Sequence, residues 1–175
     1  NVERRRNQLA LCESEKKYRQ LVENAQEGVF IIQDEKISFY NPKFCEILVD
    51  CGLSIEIFLL QPFFASVHPE DQPIVRERYQ KRIDQGNKIP RYPIRIINRM
   101  GVVRWWEVDA IRITWNGKPA TLNFSRDITE EYHLREQVKE SECLYRELVE
   151  SMPKTVIELN AEFTVTFMNH AGREK

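Results

Sequence analysis

The sequence predicts an α+β fold: a five-stranded antiparallel sheet with short helices over one face and a longer helix at each end. Three observations predict it. Strand-like segments come as a group of two and a group of three, each joined by tight-turn residues. A block of short helical segments separates the two groups. The stretches before the first strand and after the fifth are free of Gly and Pro and rich in Arg, Glu, Gln, Lys and Leu, all good helix formers.

Residues 1 to about 25 read as helix, in which Leu11, Ser14, Tyr18, Leu21 and Ala25 follow the 3-4-3-4 spacing of a coiled-coil seam or of a helix docked on a partner. Gly28 ends this segment. Gly28–Gln33 reads as a strand, Asp34-Glu35-Lys36 as a tight turn, and Ile37–Tyr40 as the returning strand of a hairpin. Asn41 suits a helix N-cap and Pro42 the first helical position, so a helix follows with Phe44, Ile47 and Leu48 on one face. Cys51–Val67 is apolar and broken by Gly52 and Pro62, which predicts short helical turns packed on something. His68–Gly86 is a better helix. Pro69, Glu70 and Asp71 fall in its first turn, Ile74, Val75, Tyr79 and Ile83 form its buried stripe, and Gly86 stops it. Strands at Tyr92–Asn98 and Val102–Thr114 flank the turn Arg99-Met100-Gly101. Asn116-Gly117, a strong hairpin signal, leads into the strand Ala120–Arg126. Asp127-Ile128-Thr129 then opens a helix to Glu150, with the stripe Leu134, Val138, Ser141, Tyr145, Leu148 and Met152.

Composition excludes several classes of function. The chain has 175 residues, 42% hydrophobic and 30% charged, enough for one sizeable core. Lys and Arg total 26 against 27 Asp and Glu, a net charge of -1, which gives no support for nucleic-acid binding. The short basic run Arg4-Arg5-Arg6 reads as solvated helix surface. No apolar run approaches the ~20 residues that span a bilayer, so direct membrane insertion is not expected. No signal peptide is visible, and a start without Met suggests an excised fragment. Cys12, Cys45, Cys51 and Cys143 form no CxxC pair, so neither a zinc site nor a disulfide framework is expected, and a reducing cytoplasm fits. Cys45 and Cys51 read as small apolar fillers. Of the three histidines, His68 precedes Pro and reads as packing at a helix start. His133 lies on the exit helix without a phospho-acceptor pattern around it, and His170 lies near the end of the chain. There is no phosphate-cradling Gly-rich loop, no Ser/His/Asp set and no HExxH motif, so catalysis by this chain is not expected.

Four local signatures then stand in order: ISFYNPKF (Ile37–Phe44), GLSIEIF (Gly52–Phe58), HPED (His68–Asp71), and MGVVRWWEV (Met100–Val108) followed by SRDIT (Ser125–Thr129). With the order of elements, they resemble the PAS sensor family over about residues 18–130. Leu53 and Ile57 depart from that family's Gly-Tyr-Ser-x-Glu-Glu-Leu. The resemblance implies that Asp127, Ile128 and Thr129 form the junction between the last strand and a signalling helix.

A second likeness is internal. SEKKYRQLVENAQEGVFIIQDEKISFYN (Ser14–Asn41) is echoed by SECLYRELVESMPKTVIELNAEFTVTFMN (Ser141–Asn169). Tyr18/Tyr145, Leu21/Leu148 and Val22/Val149 align at one offset, and Asn41/Asn169 align after a single insertion. The organisation read from this is a linker helix at 1–25, a PAS sensor domain at 26–129, a signalling helix at 130–152 and the truncated start of a second PAS domain at 153–175.

The resemblance also implies a pocket. In that family the residue two before the Asp of the triplet points into the cavity, which turns Ser125, Asn123 and Thr121 inward and Leu122 and Phe124 outward against a flanking helix. The inward set on the neighbouring strands is then Ile94, Ile96 and Asn98, with Trp106, Val108, Ala110 and Arg112. Candidate pocket residues are Phe44, Leu48, Tyr79, Ile94, Ile96, Trp106, Val108, Arg112, Asn123 and Ser125. Asn123 and Arg112 inside would need a ligand, water or a helix residue as partner, since an unpaired buried polar group costs about 1–3 kcal/mol. A twist or bulge that reverses the facing is the alternative. Haem is disfavoured because the stretch Ile74–Gln85 lacks the His that haem-binding members use. Photoreactive flavin is disfavoured because the Asn-Cys-Arg-Phe-Leu-Gln motif is absent, while a small metabolite remains open. The expected role is a cytoplasmic sensor or signal-relay module in a bacterial multi-PAS protein such as a sensor histidine kinase. It would form a homodimer through Leu134, Val138, Tyr145 and Leu148, beside adjacent PAS and effector domains. The alternative is a ligand-free PAS dimerisation or spacer domain.

Overall fold

A computed structural model describes Glu13, residues 15–86 and residues 89–173. The chain divides into two compact units, Asn1–Thr129 and Glu130–Lys175. In the first unit helix α1 covers 15–23. Strand β1 (Gly28–Gln33) and strand β2 (Lys36–Tyr40) form a hairpin. Helix α2 (Pro42–Asp50), helix α3 (Ile55–Leu60), a 3-10 turn (Phe63–Ser66) and helix α4 (Gln72–Gln85) follow. Strands β3 (Tyr92–Ile97), β4 (Val103–Trp115) and β5 (Lys118–Asp127) complete an antiparallel sheet in the order β2-β1-β5-β4-β3. The expected positions Leu11, Ser14, Cys12 and Arg4-Arg5-Arg6 lie outside the described residues.

Local chemistry accounts for the joints. Two hairpins close through two-residue turns with positive φ, Asp34-Glu35 (51° and 62°) and Asn116-Gly117 (47° and 77°), the conformation that matches strand twist. Asn41 starts α2: its Oδ1 accepts from Phe44 N at 3.0 Å, and Pro42 occupies the first turn. The same carboxamide accepts from Val29 N at 2.8 Å and donates to Val22 O and Glu27 O at 3.0 and 3.1 Å. It thereby joins the end of the entry segment, β1 and α2.

The helices between β2 and β3 cover one face of the sheet. Phe44 of α2 is fully buried, stacked on Phe30 at 4.4 Å and edge-on to Phe58 and Trp106. Two expectations for the long helix are corrected. It begins at Gln72 rather than near His68, because His68–Asp71 form a turn closed by the bond from Asp71 N to His68 O. Of its expected stripe Val75 is buried and Tyr79 and Ile83 are half-buried, while Ile74 is exposed and Arg82 is buried instead. The same 4-then-3 step that leads from Val75 to Tyr79 reaches Arg82 before Ile83.

In the second unit, helix α5 begins at Thr129 in the junction and continues to Ser151, so Met152 falls just past its end. Strand β6 (Ile157–Leu159) and strand β7 (Val165–Met168) form a hairpin, followed by the short helix α6 (His170–Arg173). Asn169, fully buried, accepts from Val156 N at 2.9 Å and donates to Val149 O and Lys154 O at 3.0 and 2.9 Å. Its partners are the repeat counterparts of those of Asn41.

Gly28 is required by space rather than by φ. A Cβ there would lie 2.6 Å from Ser125 Oγ, 3.1 Å from Ile47 Cδ1 and 3.2 Å from Phe44 Cα. Because part of that contact is backbone, Gly28→Ala is expected to force α2 off the sheet and destabilise the domain by about 1–3 kcal/mol, read from the urea midpoint.

Candidate functional site

Between the sheet's helix-covered face and the helices lies an apolar cavity of about 40 Å³. The strands alternate, so one side chain in two reaches it: Phe30 and Ile32 from β1, Tyr92, Ile94 and Ile96 from β3, Trp106 and Val108 from β4, and Asn123 from β5. The cover comes from Phe58, Phe63, Val67, Val75, Tyr79 and Arg82.

The candidate pocket residues fall into three places. Tyr79, Ile94, Ile96, Trp106, Val108 and Asn123 line the cavity. Phe44, Leu48 and Ser125 are buried but sit off it, in the contact between α2 and the sheet. Arg112 is a correction: it is exposed, its side chain running past Gly86 at the C-terminal end of α4. The helical cover stops there, so the guanidinium reaches water. Asn98, also read as facing inward, is buried in the β3–β4 turn. Its Oδ1 accepts from Met100 N and Val102 N, and its Nδ2 donates to Cys51 O.

The buried polar residues of β5 are held by the backbone. Asn123 Nδ2 donates to Thr121 O at 2.9 Å, with Thr121 Oγ1 and Phe30 O at 3.1 and 3.3 Å. Ser125 Oγ donates to Gly28 O at 3.4 Å. Arg82 differs. It is 3% exposed, and its Nε and Nη2 have no hydrogen-bond partner. Its guanidinium carbon lies 5.7 Å from the Tyr92 ring centre, while Arg78 stacks on that ring at 3.8 Å. Hydrophobic patterning overlooked Arg82, and the signal that could have found it is its spacing from Val75 and Tyr79. Burial raises the pKa of the Tyr79 hydroxyl, which accepts a long bond from Glu35 N at 3.5 Å.

The start of α4 is clamped to β3. Asp71 accepts from Arg95 Nη2 at 2.5 Å, from Arg95 N at 2.9 Å and from Arg95 Nε at 3.1 Å, and Glu70 accepts from Arg95 Nη2 at 2.9 Å. The bonds from Arg95 hold the Asp71 carboxyl below the usual carboxylate range, and the acids in turn raise Arg95. Asp71 makes no side-chain cap to α4, so its role is this clamp rather than the helix dipole.

At the sheet's exit, Asp127 Oδ1 accepts from Thr129 N at 2.8 Å and Thr129 Oγ1 at 2.6 Å. Thr129 Oγ1 accepts from Trp105 N at 2.9 Å, and Ile128 N donates to Trp105 O at 2.8 Å. Arg104 is the partner of Asp127, at 3.7 Å, whereas Arg126 pairs with Glu107. Cys51, read as filler, has a polar place here. Trp106 Nε1 donates to its Sγ at 3.3 Å, and the thiol lies 3.7 Å from Asp127 Oδ2. Burial, with the nearby Asp127 charge, pushes its pKa up to about 11. In the second unit Leu134, Val138, Tyr145 and Leu148 are all more than half exposed along α5.

A family model described as the PAS fold matches residues 16–128. The chain belongs to the PAS family. Solved PAS structures share the fold at low identity. The PAS domain of an HTR-like protein from Haloarcula marismortui is 21% identical with a TM-score of 0.55, covering 71% of this chain and 99% of its own. A sensory box histidine kinase/response regulator from Burkholderia thailandensis is 18% identical with a TM-score of 0.55, covering 75% and 98%. The N-terminal domain of a diguanylate cyclase with a PAS/PAC sensor from Marinobacter aquaeolei is 21% identical with a TM-score of 0.51, covering 61% and 99%. No curated protein matches the chain.

PAS domains are generally non-catalytic sensory modules of signalling proteins. Among the described residues of this one, no group of three or more His, Cys, Asp or Glu could hold a metal, and no helix is long and apolar enough to cross a membrane.

The clamp sets a pH dependence. The Asp71 carboxyl is depressed in the folded state, so its contribution is complete above the unfolded pKa of about 3.9 and is lost as pH falls through the lower folded value. Asp71→Asn is expected to unfold at a lower temperature than the native chain at pH 6. That gap should close as pH drops below about 4, as calorimetry across pH can read.

Proposed function

We propose that the PAS domain at 26–129 senses a small ligand in the cavity under α4 and passes its occupancy to α5 at the junction Asp127-Ile128-Thr129. The observation that carries this reading is one hydrogen-bonded run from the cavity wall to the helix start. Trp106 lines the cavity and donates to Cys51, Cys51 reaches Asp127, and Asp127 holds both Thr129 N and Thr129 Oγ1. The thiol must be protonated to donate to Asp127, and a pKa of about 11 keeps it so at neutral pH. A shift of the Trp106 ring therefore changes the bonds at the first residue of α5.

The exposed apolar stripe of α5, at 3-4-3-4 spacing, fits pairing with the same helix of a second copy, and with it a relay through a dimer. The matched partners of Asn41 and Asn169 support 153–175 as the beginning of a second PAS domain, reached through 130–152 as a shared helix. The effector is a separate domain of the same polypeptide, and the module works in the cytoplasm.

Trp106→Phe keeps an aromatic wall and removes the indole donor. Amide exchange at Ile128, Thr129 and the first turn of α5 should accelerate about tenfold while that of β1 stays unchanged. Unchanged exchange at Thr129 would reject the relay. Leu134→Glu with Val138→Glu should convert the dimer to monomer in analytical ultracentrifugation, and a dimer that persists would place the interface elsewhere.

A further inference from the structure

Arg82 gives the ligand a charge. A guanidinium stays protonated at any physiological pH, and a buried one is stable only when paired. Arg82 lines the cavity at 3% exposure with Nε and Nη2 unpartnered. These two nitrogens share one edge of the guanidinium, the edge that grips a carboxylate through two parallel N–H···O bonds. Tyr92 offers only the face of its ring, 5.7 Å from the guanidinium carbon and already occupied by Arg78.

We infer that the cavity binds a small monocarboxylate whose two oxygens lie on the Nε–Nη2 edge of Arg82, with its short apolar tail against Ile94, Trp106 and Val108. This rests on the ligand-pocket reading above and names the class of ligand. The charge count limits it to one negative charge, because Arg82 is the single charged residue among those lining the cavity. The donor count disfavours phosphate. Asn123 Nδ2 is already committed to Thr121 and Phe30, which leaves the Tyr79 hydroxyl as the further donor, too few for the remaining oxygens. Size limits it to a short chain: about 40 Å³ is little more than one water's share of liquid volume, roughly 30 Å³, so an acid of two to four carbons enters only as the lining side chains shift outward.

Calorimetric titration of the full chain with sodium butyrate, with butyramide and with sodium chloride at matched ionic strength tests this. Butyrate is expected to bind, with butyramide at least about tenfold weaker and chloride giving no saturable heat. Arg82→Met keeps the apolar stem and should also weaken butyrate at least about tenfold. Without carboxylate it should melt no lower than the native chain, because it removes an unpaired buried charge. Arg82→Lys, which keeps the charge and loses the fork, should fall between the two. Equal binding of butyrate and butyramide, or full affinity in Arg82→Met, would overturn the anion assignment and leave the pocket as a site for a neutral ligand. If neither probe binds, the assignment and the ligand-pocket reading fail together. A melting temperature for Arg82→Met well below native in carboxylate-free buffer would make Arg82 a structural residue and overturn the assignment.

Discussion

One carboxamide, that of Asn41, holds the first unit together. Its oxygen takes the backbone N–H of Val29 and of Phe44, and its nitrogen gives both protons to Val22 O and Glu27 O. All of its capacity is used, and two donors on one side with two acceptors on the other fix which way the amide faces. An Asp could not donate, and a Ser is too short to reach both strand and helix. Because the bonds end on backbone, they fix chain position rather than side-chain choice: α2 must start where β1 begins. That geometry places Phe44 over Phe30 and leaves Gly28 no room for a side chain. Asn169 repeats the device in the second unit, with Val149, Lys154 and Val156 in place of Val22, Glu27 and Val29.

The parts of the fold legible in the sequence are those written locally. Asn116-Gly117 specifies its own turn, Asn41-Pro42 its own helix start, and the alternation along β5 its own facing. What was not legible depends on distant backbone. Asp71 reads as a residue of the first turn of α4, yet it grips Arg95, 24 positions away, and the helix begins only at Gln72. Arg112 follows the same facing rule as Val108 and Ala110, yet is exposed because α4 ends at Gly86. Cys51 reads as an apolar filler until Trp106 and Asp127 are brought beside it from 55 and 76 positions away.

Polarity alone also misdirects. Asn123, like Arg112, read as a residue in need of a ligand, water or a helix partner, because a polar side chain on the core side of a strand is costly without one. Asn123 and Ser125 instead donate to backbone carbonyls of their own and the adjacent strand, so the polar strand is an ordinary, satisfied part of the sheet. Arg82 is the contrast. Its Nε and Nη2 have no partner and it lies against mostly apolar neighbours, so the unmet hydrogen-bonding capacity sits on the helix that covers the sheet and not on the strand.

The junction is suited to switching because each of its bonds is weak on its own. A hydrogen bond to a charged group contributes about 1.5–3 kcal/mol, and a full reversal of a two-state equilibrium from 1:99 to 99:1 needs about 5.5 kcal/mol. Asp127 alone carries two bonds to Thr129, with Arg104 and Cys51 also beside its carboxylate, so the rearrangement of two or three contacts around one side chain covers that range. Of these contacts only the Cys51 thiol belongs to the apolar core that holds Phe30, Phe44 and Trp106, so the bonds of Asp127 to Thr129 and Arg104 can exchange while that core stays packed. Trp106 belongs to both sets: its ring is a wall of the cavity and its indole nitrogen the first donor of the run. Under the proposed relay, a ligand too small to disturb the core would therefore act on the start of α5 by moving one ring edge rather than a layer of packing.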